Sequence, residues 1–227
     1  MRRLDWATYF ACTNPGENQQ FCEAADMNDV KVFVILIAVV SSHVSLKAQD
    51  CDLLRQSTRV QLINYLQSNS RSEPEWPCIK FALRELGESK GKEAKEAIPV
   101  LVDYLDYKRP LSGAEKNGFF LHMPSAEEMY PATGALFSIG QPAIPAMIRV
   151  IESSDDPQKH DNAVFVIMQI YRERMPQGIQ KLKAASAARA EKGFKLEAQR
   201  LNQSAKEALR WCTVNRSECE QALGNDD

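Results

Sequence analysis

The amino-acid sequence predicts an all-α protein, an α-solenoid of stacked antiparallel helix pairs with about eight helices. After residue 49, apolar residues recur at steps of three and four, and runs of strand-like alternation are rare. A short apolar pattern also returns three times, and each copy contains a proline. Repetition of this kind is typical of units that cannot bury their apolar face alone and therefore stack.

The repeat is clearest in the middle of the chain. The three copies are ALRELG with AIPVLVDYL (82–87 and 97–105), ALFSIG with AIPAMIRVI (135–140 and 143–151), and VIMQIY with MPQGIQKL (166–171 and 175–182). One offset of 31 residues relates the last two copies. It carries Ile139 onto Ile170, Ile144 onto Met175, Pro145 onto Pro176, Ile148 onto Ile179 and Ile151 onto Leu182. So many matches at one offset indicate a repeated structural unit.

The prolines mark the start of the second helix of each pair. Proline is tolerated in a first helical turn, where amide hydrogens have no partner within the helix. If this helix begins at Ala143, Pro145 lies in that first turn. Gly140 ends the preceding helix, because glycine adopts a positive φ at little cost. The stretch IGQPAIP therefore predicts a helix stop, a two-residue turn and a helix start.

The rhythm ALxxIGxxAIPxLIxxL resembles HEAT and HEAT-like repeats, especially their short bacterial form, over roughly residues 77–190. The resemblance implies an α-solenoid with a scaffold or binding role, and it carries over no catalytic residues. Residues 88–94, ESKGKEA, are expected to be an insertion between the helices of the first pair. Asp161 is the one candidate for the charge ladder that often joins HEAT repeats.

Two further helices are predicted around the repeats, a leading one at 51–68 and a closing one at 194–212. The closing helix has a narrow apolar stripe of Phe194, Ala198, Leu201, Ala205, Ala208 and Cys212. Basic residues lie off this stripe. They form either the solvated face of a capping helix or a docking surface for an anionic partner.

An export signal is predicted at residues 27–48, MNDVKVFVILIAVVSSHVSLKA. Lys31 supplies the positive charge, an unbroken apolar run extends from Val32 to Val40, and Ala48 precedes the cleavage point. A membrane span needs about 20 apolar residues, so we expect no stable span after cleavage. The alternative is a buried apolar strand or helix in a cytosolic domain.

The signal does not lie at the chain start, because 26 polar and unperiodic residues precede it. Met27 stands where the signal would have its initiator. We therefore expect residues 1–26 to be an over-extended, disordered start and residues 49–227 to form a single HEAT-like domain, periplasmic or secreted. Cys51 is not expected to be a lipid anchor, since Gln49 and Asp50 stand where small residues are required.

Four cysteines follow the signal: Cys51, Cys78, Cys212 and Cys219. An even number is compatible with disulfides in an oxidising compartment, and three pairings are open. A bridge from Cys212 to Cys219 is favoured, because Asn215 and Ser217 would allow the chain to fold back between them. The alternative is two unrelated buried thiols.

The loop at residues 108–124, KRPLSGAEKNGFFLHMP, is longer than a helical repeat needs. Its cluster GFFLHM is too apolar for a disordered linker. Either this cluster folds back over the core, or Phe119, Phe120, Leu121 and His122 are presented to a partner. Of the two, covering the core is the preferred interpretation.

No catalytic or metal-binding constellation is recognised in the sequence. GESKGKEA at 87–94 lacks the spacing and the Ser or Thr of a phosphate loop. The pair His160 and Asp161 lacks the further ligands that a metal phosphohydrolase requires, so His160 is expected in the first turn of a helix capped by Asp155 or Asp156. No cofactor is expected.

The formal net charge of −2 and the absence of a basic block argue against nucleic acid as a partner. The sequence therefore predicts an exported helical-repeat scaffold or adaptor, a monomer without catalytic activity, that binds a protein or peptide. The alternative is a HEAT-like lyase-type enzyme that acts on a small chromophore or cofactor, for which acidic or histidine side chains would have to converge on a concave face.

Overall fold

A computed structural model describes residues 51–120, 122–212 and 216–224, and all the regular structure in these ranges is helical. The described residues belong to one contact unit, Lys47–Asp227. The expected signal at 27–48 and the expected over-extended start at 1–26 lie outside the described residues.

Twelve α-helices are present in the described ranges, which agrees with the all-α prediction but exceeds the expected number of about eight. They are α1 (Asp52–Arg55), α2 (Arg59–Ser68), α3 (Trp76–Gly87), α4 (Gly91–Asp103), α5 (Gly113–Lys116), α6 (Ala126–Met129), α7 (Pro131–Ile139), α8 (Ile144–Ser153), α9 (Pro157–Ile170), α10 (Met175–Glu191), α11 (Lys195–Ala208) and α12 (Arg216–Leu223). Three of them, α1, α5 and α6, are single turns of four residues each.

The offset of 31 residues seen in the sequence recurs in the helix boundaries. Helices α7 and α9 end at Ile139 and Ile170, and short 3₁₀ turns follow at Gln141–Ala143 and Arg172–Arg174. Helices α8 and α10 then begin at Ile144 and Met175, each with proline as its second residue. The same arrangement precedes α3, where a 3₁₀ turn at Glu73–Glu75 leads into a helix with Pro77 in second place. Pro77, Pro145 and Pro176 therefore mark helix starts.

Helices α7 and α8 do not form the antiparallel pair expected from the sequence. Gly140 ends α7 with φ 79°, as expected for a stop signal. The chain direction changes by 112° between Pro131–Ile139 and Gln141–Ser153, because the connection is a single 3₁₀ turn and does not reverse the chain. Helix α7 packs mainly on α3 and α9, and α8 packs mainly on α9 and α11.

The expected insertion in the first repeat is mostly helical. Residues 91–94 form the first turn of α4, so Pro99 lies inside that helix and not in its first turn. The apolar face of α4, which includes Ile98 and Leu101, is buried and holds the helix in place despite the hydrogen bond that proline cannot donate.

The predicted leading helix is broken into α1 and α2. Thr58 caps α2 by accepting a hydrogen bond from the Gln61 amide at 3.4 Å, while its own amide donates to Gln61 Oε1 at 2.7 Å. This capping box favours a new helix start over a continuous helix. The predicted closing helix corresponds to α11 and the 3₁₀ turn Leu209–Trp211 that follows it.

The buried apolar side chains form one cluster that extends from Leu62 in α2 to Cys219 in α12. Ile139 and Ile144 are buried as the repeat register predicts, whereas Ile148 is only partly buried at the edge of the cluster. Buried polar groups tie distant helices together: Tyr104 Oη donates to the Leu66 carbonyl at 2.8 Å, and Asn162 Nδ2 donates to the Leu105 carbonyl at 2.7 Å.

Among the described residues, no single helix has both the length and the apolar character to cross a membrane. The bent pair Pro131–Ile139 and Gln141–Ser153 passes that test only when its two helices are taken together.

Candidate binding groove at the aromatic loop

The aromatic loop, residues 108–124, is built around repeated capping boxes. Helix α5 begins after Ser112, whose hydroxyl accepts from the Glu115 amide while Glu115 accepts from the Ser112 amide at 2.7 Å. Helix α6 begins after Ser125, which pairs with Glu128 in the same way, again at 2.7 Å. The S-x-x-E spacing of both pairs is visible in the sequence, and its capping role could have been predicted there.

A basic side chain three residues before each capping serine holds the capping glutamate. Arg109 makes a two-pronged ion pair with Glu115, with Nη1 donating to Oε2 at 2.9 Å. His122 Nε2 lies 3.1 Å from Glu128 Oε1. The same basic, serine and glutamate arrangement therefore occurs twice, once in the loop before its aromatic residues and once across the junction of the loop with α6.

These contacts keep both glutamates ionised. The Arg109 guanidinium, together with the Ser112 amide, lowers the pKa of Glu115 to about 2. The Ser125 amide, together with His122, lowers the pKa of Glu128 below its usual value. At neutral pH neither carboxyl therefore carries a proton to donate.

The aromatic residues between these two arrangements face solvent. Phe119 is 75% exposed, Phe120 42% and Met123 84%. His122 is also exposed, and Leu121 lies outside the described residues. These exposed fractions do not agree with the interpretation in which this cluster covers the core, and the interpretation in which it contacts a partner stays a prediction.

The loop forms one wall of a groove of about 890 Å³. Trp76 and Lys80 of α3 and Pro131 of α7 line the groove together with residues of the loop and α6, including Glu127. Trp76 and Lys80 carry no sequence signal that marks them as site residues, because no local pattern links α3 to a loop that begins only at residue 108. Their place in the groove follows from the packing of α3 against α7.

Polar contacts fix the loop to the helices around it. Lys116 Nζ lies 2.8 Å from Glu73 Oε1, in the turn before α3. The Arg109 amide donates to the Met129 carbonyl at 2.8 Å, which joins the start of the loop to the end of α6. The exposed aromatic side chains are therefore carried on an anchored segment.

Both cysteine pairs of the described residues are at disulfide distance. Cys212 is paired with Cys219, as the sequence favours, and Cys51 is paired with Cys78, which joins α1 to α3. Disulfides persist in oxidising compartments, so the pairs indicate an oxidising, extracellular environment.

A second polar cluster lies away from the groove, at the start of α9. Asp156 caps α9, with its carboxylate accepting from the amides of Gln158 at 2.8 Å and Lys159 at 3.1 Å. His160 is in the first turn of that helix, as predicted. The sequence offers no local signal for its neighbour Glu207, which α11 brings to His160 and Asp161. This trio contains the residue types that could hold a metal ion.

Comparisons with protein-family models, with curated proteins and with solved structures found no match for this chain. The resemblance to HEAT repeats therefore remains a hypothesis based on the sequence pattern.

Proposed function

We propose that this protein is an exported helical-repeat adaptor that binds a protein partner through the groove at the aromatic loop. The observation that carries the proposal is the exposure of three large apolar side chains, Phe119, Phe120 and Met123, within five residues of one loop. Exposed aromatic clusters are costly in water and are typical of interaction sites.

The anchoring of the loop supports binding by a prepared surface. Two capping boxes and the Arg109–Glu115 ion pair hold the backbone on both sides of Phe119. The main chain that carries the aromatic side chains is therefore already held in place before a partner binds. Binding then costs less conformational entropy than binding to a flexible loop would. The groove beside them has room for an apolar side chain from a peptide segment of the partner.

Export is supported by the apolar run at residues 32–40 and by the disulfides. If the signal is used, the exported protein begins at Gln49. The α-solenoid arrangement is likewise part of this proposal, and the repeated helix boundaries at an offset of 31 residues support it.

The second candidate, a lyase-type enzyme, draws on one observation: His122, Glu127 and Glu128 line the same groove. The lowered pKa of Glu128 counts against a role as general acid, because such an acid must be protonated near the working pH. A shift in the absorbance of a tetrapyrrole on addition of the protein would favour the enzyme over the adaptor.

The test of the adaptor is the double substitution F119S/F120S. The tagged protein and the variant are used to capture proteins from the envelope fraction of the native cells. We expect the variant to lose the partner that the unchanged protein retains, with nearly the same thermal midpoint, because these side chains contribute little to the core.

The matched control is F194S, which removes an aromatic side chain that is 47% exposed at the start of α11. This control should retain the partner. Equal capture by all three proteins would contradict the proposal, and so would a large fall in the thermal midpoint of F119S/F120S, since that would place these residues in the core.

A further inference from the structure

Three side chains from two helices converge at a cleft on the side of α9. His160 and Asp161 come from the first turns of α9, and Glu207 comes from the last turn of α11. One potential ligand atom of each residue lies within 4.8 Å of the others. Ligand atoms around a tetrahedral zinc ion are about 3.5 Å apart. Small side-chain rotations would therefore bring the three ligand atoms to the distances that a zinc ion requires.

Ser204 contacts one ring nitrogen of His160 and is compatible with the tautomer that a metal site at Nδ1 requires. The Ser204 hydroxyl donates its one proton to the Arg200 carbonyl of its own helix at 2.8 Å. The same oxygen lies 2.9 Å from His160 Nε2, and in the tautomer that carries its hydrogen on Nε2 the ring donates to this oxygen. In the neutral ring, Nδ1 then has the lone pair that a metal requires. Metal-binding histidines are ordinarily oriented by such a bond from their other nitrogen.

The two carboxylates are also held by groups outside the trio. Asp161 Oδ1 lies 3.2 Å from Arg210 Nη2. Glu207 Oε1 accepts from Gln203 Nε2 at 3.0 Å. Each contact uses one oxygen of its carboxylate and positions the other. All three candidate ligands are therefore oriented by a neighbouring polar side chain, as the ligands of metal sites generally are.

The charge of the cleft favours a cation. The cleft has a volume of about 330 Å³, and the ionisable residues that line it are Asp155, Asp156, Asp161, Glu207, Arg200 and His160. Four carboxylates and one guanidinium thus line the cleft, and a second guanidinium, that of Arg210, pairs with Asp161 from outside the lining, which still leaves an excess of two negative charges. The guanidinium in the lining is itself engaged, because Arg200 lies 2.6 Å from Asp155 Oδ1 and donates to the Glu152 carbonyl at 3.1 Å. Such an excess of negative charge raises the local concentration of cations.

We propose that His160, Asp161 and Glu207 bind a divalent transition-metal ion between α9 and α11. A donor set of one imidazole and two carboxylates suits Zn²⁺, and it leaves a coordination position for water. The site is separate from the aromatic groove, so its existence does not depend on the proposed adaptor function. The ion would link the start of α9 to the end of α11.

The test is calorimetric titration of the full chain with Zn²⁺ after treatment with EDTA. We expect one ion at this site, with H160Q and E207Q each weakening the affinity by at least about tenfold, because even the loss of a residue that only orients a ligand costs about 10- to 100-fold. The control is H122Q, which changes the histidine that pairs with Glu128 in the aromatic loop. H122Q should bind as the unchanged protein does.

Thermal unfolding provides a second measurement. Zn²⁺ should raise the thermal midpoint of the unchanged protein and of H122Q, because the ion binds the folded state. It should not raise the midpoint of E207Q, whose midpoint without metal should match that of the unchanged protein. An absence of Zn²⁺ binding, equal affinity in all variants, or loss of binding in H122Q would each overturn the proposal.

Discussion

Single residues determine where several helices begin and end. Gly140 adopts φ 79° and ends α7, and Asp156 caps α9 with two hydrogen bonds to its first turn. Ser112 in the aromatic loop and Ser125 directly after it begin α5 and α6 in the same way. These effects act over three or four residues, so the sequence alone carries the information for them.

Titration of Glu115 is predicted to be displaced to low pH. Its pKa is about 2, because the Arg109 guanidinium and the Ser112 amide stabilise the ionised carboxylate. The folded value lies below the unfolded value of about 4.3. Glu115 therefore stabilises the folded loop above pH 4 or so, and this contribution is lost as the pH falls through the folded pKa. The carboxyl carbon shift in an NMR titration measures the midpoint.

The control for this titration separates Arg109 from a general charge effect. R109Q should raise the Glu115 midpoint towards the usual value for glutamate. R84Q should leave it unchanged, because Arg84 interacts with Glu85 and Phe81 on α3. A midpoint for Glu115 in the unchanged protein near the unfolded value would contradict the ion pair.

Helices α3 and α7 approach closely where Gly87 meets Ala135. A Cβ on Gly87 would lie 2.7 Å from the Ala135 Cα, well inside ordinary contact. In the repeat alignment Gly87 corresponds to Gly140, yet only Gly140 has a positive φ. The same residue type therefore permits helix packing in one copy and ends a helix in the other.

The variant G87A is predicted to lower the free energy of unfolding by about 1 to 3 kcal/mol, because two helix backbones must move apart. G134A is the matched control in α7. Its added Cβ would meet Glu127 Cβ at 3.7 Å, an ordinary contact. Replacing a helical glycine by alanine should raise stability by up to about 1 kcal/mol. Denaturant titration measures both, and equal effects would show that the close approach is absent.

Two disulfides hold elements at both ends of the described molecule. Cys51–Cys78 spans 27 residues, and Cys212–Cys219 spans 7. The second lies near the end of the buried cluster, where Cys219 joins α12 to the rest. The first ties α1, which has no buried residue of its own, to α3. The disulfides thus attach peripheral helices that bury little apolar surface of their own.

Removing the longer link should cost more stability. In the chain-entropy description, C51A/C78A should lose about 3 to 4 kcal/mol and C212A/C219A about 2 to 3 kcal/mol, because a longer loop restricts the unfolded chain more. Denaturant titration compares the two variants. Peptide mapping without reduction should recover both linked pairs from the unchanged protein. Free thiols at Cys51 and Cys78, or a larger loss for the shorter link, would contradict this prediction.

The sequence by itself determined the helical class, the 31-residue offset of the helix boundaries, the helix starts at Pro145 and Pro176 and the glycine stop at Gly140, but not the place of Pro99. Each of these depends on periodicity or on backbone preferences within one or two turns, which neighbouring residues set. The helix break at Thr58 and the capping boxes at Ser112 and Ser125 are also local features. Their S/T-x-x-E/Q spacing is visible in the sequence.

Only the tertiary structure decided which faces are exposed and which distant side chains meet. A short apolar run such as that around Phe119 has the same local pattern whether it covers a core or faces solvent, and only its neighbours in space distinguish the two cases. Trp76 reaches the aromatic loop, and Glu207 reaches His160, through helix packing between segments more than 30 residues apart. Such contacts depend on helix crossing geometry, and no local sequence pattern encodes it.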